Sequence, residues 1–67
     1  MKIQQYSRVR VVSPRFESEG APVGSLGYVI ECYPDGAFEV EVSDSQGTTI
    51  AQFVASEDDL ELDEAET

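Results

Sequence analysis

Short runs of alternating apolar and polar residues recur along this chain, separated by clusters of glycine, proline, serine and aspartate. Val9 and Val11 alternate with Arg8 and Arg10, the period of a strand with one buried face, and this predicts a first strand over Tyr6–Val12. Ser13-Pro14 ends it, because proline has no N–H for a ladder and biases its predecessor to extended geometry. Arg15–Leu26 then reads as a long connection with Gly20, Pro22 and Gly24, pinned to the domain by Phe16 and Leu26. Gly27–Tyr33 is the second predicted strand, and Pro34-Asp35-Gly36 a tight turn into the third. In that third strand Phe38, Val40 and Val42 share one face, and Glu39 and Glu41 the other.

Ser43–Gly47 is a second turn cluster and leads to a β-branched run, Thr48–Val54, the fourth predicted strand. Ser56 followed three residues later by Asp59 is a capping pattern and predicts one helical turn. Leu60-Glu61-Leu62 alternates again and closes the fold. From Asp63 to Thr67 only Ala65 is apolar, so residues 63–67 are expected to form an acidic frayed tail on a domain of residues 1–62. Five short strands, two hairpins and a helical turn before the last strand describe an all-β domain, and the SH3-like five-stranded antiparallel barrel is the natural candidate. In that arrangement the last strand returns beside the first. Arg8 and Arg10 would then lie near Glu57, Glu61 or Asp63, and each cross-strand pair of opposite charges contributes roughly 0.2–1 kcal/mol.

Charge changes the picture most. All four basic residues, Lys2, Arg8, Arg10 and Arg15, fall in the first fifteen positions, against fourteen carboxylates, for a formal net charge of −10. Such a chain repels phosphate backbones and anionic lipid, which argues against nucleic acid or a membrane surface and for a basic protein as partner. With one cysteine and no histidine, neither a disulfide framework nor a Cys/His zinc site is expected within one chain. No Asp-x-Asp-x-Asp-Gly calcium pattern is present in the acidic C-terminus. Acid–base chemistry would fall to carboxylates or tyrosines, which a small barrel gives little means to retune, so no catalytic residue, metal or cofactor is expected. The opening Met1–Ser7 has no apolar leader run and no stretch is long enough to span a bilayer, so the expected location is the cytoplasm.

The run from Val23 to Val42 is similar to a bacterial family of small domains of unknown function. The core of that family reads roughly Gly-Asp-x-Gly-Thr-Val-Val-Glu-Val-Tyr, a short glycine turn, then Tyr-Glu-Val-Glu-Phe. Val9–Val12, Asp44–Gly47 and Asp59-Leu60 extend the likeness over nearly all of the predicted fold. Ser25 stands where the family usually has aspartate, and Cys32 where it has valine. The resemblance implies an SH3-like fold without assigned catalytic residues, and an antitoxin or immunity role toward a partner protein. The spacing of Gly24, Gly27 and Val29 also resembles KOW-type SH3-like modules, but those are basic where they meet RNA and this region is not.

The candidate partner-binding residues are Tyr28, Glu31, Tyr33, Glu39 and Glu41. Carboxylates on paired strands would receive lysine or arginine, and tyrosines are favoured interface anchors. The competing reading is a solvated outer face whose charge keeps the domain soluble. Cys32, in phase with Ile30, is expected to be a buried packing residue. The expectation is therefore a non-catalytic acidic module that binds a basic protein, of antitoxin or immunity type. A structural subunit or homodimer is the alternative, and a KOW-like nucleic-acid module a more distant one.

Overall fold

The computed structural model describes residues 2–63 as five antiparallel strands: β1 (Arg8–Val11), β2 (Leu26–Cys32), β3 (Phe38–Ser43), β4 (Thr49–Ala55) and β5 (Leu60–Leu62). They form one sheet in the order β4-β3-β2-β1-β5, so β5 does return beside β1. The class is all-β, with a single 3₁₀ turn over Glu57–Asp59 before the last strand, as the capping pattern predicts. The ladder is open: β4 and β5 are its edges and do not pair with each other.

Alternation places Val9 and Val11 of β1, Val29 of β2, Val40 and Val42 of β3, and Ala51, Phe53 and Ala55 of β4 on one buried face. Val9, Val11, Val29 and Val40 are fully enclosed, and Leu62 and Phe38 pack at the margin. β-branched side chains suit this position because they fill a pleated surface with little rotamer freedom to lose.

The connection after β1 covers the core. Its first part, Pro14–Glu19, is a 3₁₀ helix started by Ser13, whose hydroxyl accepts from the Arg15 N–H at 3.2 Å. Phe16 turns inward and stacks on Phe53, with ring centroids 4.1 Å apart and planes 15° from parallel. Arg15 crosses the Phe16 ring and binds Asp59 through Nε at 3.1 Å and Nη2 at 3.0 Å. A forked guanidinium on a carboxylate is a geometrically demanding contact, and it ties this connection to the turn before β5. Asp59 also accepts from the backbone N–H of Ser56 at 2.9 Å and from its hydroxyl at 3.1 Å.

Three expectations are corrected. The connection is pinned by Phe16 and Ala21, both buried, whereas Leu26 begins β2 on the outer face and is exposed. Cys32 is exposed. It lies opposite Phe38 but ends β2 beside the exposed turn at residues 33–36, past the enclosed part of the core. Asp63, placed at the head of the tail by its sequence, is buried. Its N–H donates to the Arg8 carbonyl at 2.9 Å, and its carboxylate meets Arg8 at 2.9 Å and Arg10 at 3.3 Å. The sheet's charge partners thus extend one residue beyond Leu62, and the rest of the expected tail lies outside the described residues.

Candidate acidic interaction face

The bulge in β2 decides what the outer face presents. By strict alternation Tyr28 and Glu31 would point to opposite sides of the sheet. One extra residue between Val29 and Glu31 restores them to the same side: Tyr28 stands opposite Glu41, and Glu31 opposite Glu39. The turn that follows is closed by the Tyr33 N–H to the Ala37 carbonyl at 2.8 Å and by Asp35 Oδ1 accepting from the Ala37 N–H at 3.1 Å. Gly36 takes φ 90°, a left-handed conformation that glycine adopts without cost. Folded back in this way, Tyr33 donates its hydroxyl to Glu39 Oε1 at 2.8 Å.

All five residues singled out from the sequence therefore share one patch. Tyr28 and Tyr33 are 51% and 39% exposed, enough ring surface to meet a partner. The carboxylates of β3 are held from β4 by two residues that sequence reading missed. Gln52 Nε2 donates to Glu39 Oε2 at 3.0 Å, and the Thr49 hydroxyl donates to Glu41 Oε2 at 2.6 Å. Their register partners give the reason: Glu41 lies opposite Gln52, so polar positions in the predicted fourth strand could have been assigned to this face once the pairing was known. Gly27 fits the strands together at the edge of the patch, where a Cβ would come within 2.5 Å of the Glu41 carbonyl oxygen.

Electrostatics divide the molecule in two. Arg10 meets Glu61 at 3.3 Å, Arg8 and Arg10 share Asp63, and Arg15 holds Asp59. These pairs gather the arginines around β1, β5 and the turn before β5. Among the described residues Glu31, Asp35, Glu39, Glu41 and Asp44 form no ion pair, so the negative potential of β2, β3 and their turns is not neutralised within the sheet. The Tyr33 hydroxyl registers this field: its bond to Glu39, followed by partial loss of hydration and the charges of Glu39 and Glu31, pushes its pKa above the ordinary tyrosine value.

Beside Tyr28 the face dips into an open cleft of about 340 Å³ lined by Arg8, Leu26, Gly27, Tyr28, Ser43, Asp44 and Ser45. Its polar groups are of mixed sign, and it borders the acidic rows rather than containing them. Among the described residues, no cluster of three or more carboxylate or cysteine side chains is arranged to hold a metal ion, and no helix is long and apolar enough to cross a membrane. Comparison with curated proteins and with solved structures finds no match. The family model that matches spans residues 9–62, from the first core valine to the end of β5, and on that match the chain belongs to the family described as Domain of unknown function (DUF4926).

Proposed function

We propose that this chain is a non-catalytic cytoplasmic interaction module that binds a basic protein through Tyr28, Glu31, Tyr33, Glu39 and Glu41, and that it acts as an antitoxin or immunity protein. The observation that carries this reading is the segregation of charge. The arginines are engaged by Asp59, Glu61 and Asp63, while among the described residues the carboxylates of β2 and β3 form no ion pair. Glu31 directly opposite Glu39 is unfavourable for the fold, since like charges across strands destabilise a sheet. A basic partner would relieve that repulsion on binding. Its approach would be steered by the acidic field, and Tyr28 and Tyr33 would supply anchors that lose water at the contact. A toxin acting on nucleic acid carries a basic cleft of the complementary sign.

Arg8, Arg10 and Arg15 lie in ion pairs, which favours this reading over a nucleic-acid module. The test is co-purification of the tagged chain from its own cells, with mass spectrometry, beside the variant carrying Glu39→Lys and Glu41→Lys. One basic protein recovered with the native chain and lost with the folded variant is the expected result. Recovery of the same protein with both would remove the face from the account.

A further inference from the structure

The two edges of this sheet are built differently. β5 has three residues, includes Glu61 and is followed by Asp63, so it is short and charged. β4 has seven residues, Thr-Ile-Ala-Gln-Phe-Val-Ala, and no charge or proline stands between Asp44 and Glu57. Edge strands are ordinarily blunted by charge, proline or shortness, because an open row of N–H and C=O groups accepts another strand.

The direction of those groups follows from the ladder. Val29 turns both its backbone groups to the N-terminal segment: its carbonyl accepts from Tyr6 at 2.6 Å and its N–H donates to Ser7 at 3.0 Å. Tyr28 must then face β3, across from Glu41, because backbone direction alternates along an antiparallel strand. Continuing the alternation, Val40 and Val42 face β4, their partners Phe53 and Ala51 face back, and Gln52 and Val54 turn their N–H and C=O groups outward. The alternation stops at Ile50, the extra residue of a bulge opposite Val42 and Ser43, and Gly20 backs onto its carbonyl, where an added Cβ would lie 3.2 Å away. The open stretch is therefore Ala51–Ala55, centred on Phe53. The side chains of Ile50 and Val54 are each half exposed on the outer face.

We infer that β4 is the contact by which two copies of this chain pair edge to edge, antiparallel, about a twofold axis at Phe53. In that register Gln52 of each copy lies opposite Val54 of the other, and both residues have outward backbone groups. Each Gln52 N–H then donates to a Val54 carbonyl, and each Val54 N–H to a Gln52 carbonyl. A second copy is the occupant that the strand itself specifies, since the segment is self-complementary and uncharged in a chain of net charge −10. Like charges of the two copies would lie on the two β3 strands, whose backbones would stand three strand spacings apart, roughly 14 Å, and on Glu57 and Asp58 just past each β4. Their repulsion is screened over about 8 Å at physiological salt but reaches about 30 Å at 0.01 M. Added salt therefore strengthens this contact, opposite to its effect on a basic partner. The outer acidic faces remain uncovered, so the pairing neither requires nor excludes the proposed partner.

The test is sedimentation equilibrium of the whole chain from about 10 µM to about 1 mM, at about 0.02 and about 0.5 M salt. Amide hydrogen exchange is read at the same concentrations. The expected result is a monomer–dimer equilibrium whose dissociation constant falls severalfold in the higher salt, with Gln52 and Val54 amides gaining protection as the dimer fills. Val54→Pro removes the outward N–H at an exposed edge position that tolerates proline, and should raise the dissociation constant about tenfold or more. Val54→Lys, with its melting temperature checked, is the second variant, as edge lysines blunt pairing without removing the N–H. A monomer under all conditions, a dimer that salt dissociates, or a dimer that survives both folded variants would overturn the inference. So would protection of Gln52 and Val54 that arises in a monomer only on adding a lysine-rich peptide, since that assigns the edge to a foreign strand.

Discussion

Glu31 and Glu39 face one another across β2 and β3, two carboxylates in register on the outer side of a small sheet. The fold keeps this arrangement although a single lysine would turn it into an attractive pair. Glu31→Lys is expected to stabilise the domain by about 0.2–1 kcal/mol, read as a higher melting temperature, because it exchanges cross-strand repulsion for attraction. The same substitution should weaken capture of the basic partner. A variant both less stable and fully competent in binding would show that the pair serves neither purpose.

At Gly27 the pairing of β2 with β3 leaves no room for a side chain. Gly27→Ala would drive a Cβ against the Glu41 carbonyl and a Val42 methyl, at 2.5 and 3.0 Å, so the strands must separate locally. A loss of about 1–3 kcal/mol is expected in urea denaturation, the range for overpacked sites.

Acid should weaken the link between the 3₁₀ connection and the turn before β5. Burial on its own pushes the Asp59 carboxyl up, but the Ser56 N–H, Arg15 and the Ser56 and Ser13 hydroxyls together outweigh it and hold the group below its ordinary value. A depressed folded-state pKa gives stability that is present above the unfolded value, near 4, and is lost as pH falls through the folded one. Asp59→Asn should therefore cost stability at pH 7, about 1–3 kcal/mol for a buried charge-assisted contact, and the difference from the native chain should shrink below pH 4. A constant difference from pH 7 to pH 2 would assign the loss to packing instead.

At the alkaline end Tyr33 is the group to follow. Its raised pKa means that any stability it contributes is present below the ordinary tyrosine value, about 10, and is lost as pH rises through the folded one. Titration of the Tyr33 hydroxyl, followed by NMR, should find it ionising above the ordinary tyrosine value, and Glu39→Gln should bring it back toward that value. A Tyr33 hydroxyl that titrates at the ordinary tyrosine value in the native chain would mean that its bond to Glu39 does not persist in solution.

Much of this architecture was legible in the residues. Phe38, Val40 and Val42 alternate with glutamates, and Pro34-Asp35-Gly36 can only turn, so the β2–β3 hairpin and its acidic side follow from pattern alone. Ser56 and Asp59 announced their own turn. The bulge in β2 did not, because Val29-Ile30-Glu31 contains no glycine or proline to mark an inserted residue. That single shift brings Tyr28 and Glu31 onto one face, and it sets Cys32 opposite Phe38, where only its place at the strand end leaves it exposed. Asp63 looked like tail because its value lies in Arg8 and Arg10, more than fifty positions away, and no local pattern carries that pairing. Gln52 and Thr49 support the face for the same kind of reason: their role exists only through the β3–β4 register.

The most direct test of the acidic face is the affinity of the co-purified partner measured by calorimetry from about 0.05 to about 0.5 M salt. Charge-led binding through Glu31, Glu39 and Glu41 predicts a dissociation constant that rises at least about tenfold across that range, chiefly through slower association. A dissociation constant unchanged by salt would contradict the account, and would leave these carboxylates as the solvated surface of the sheet.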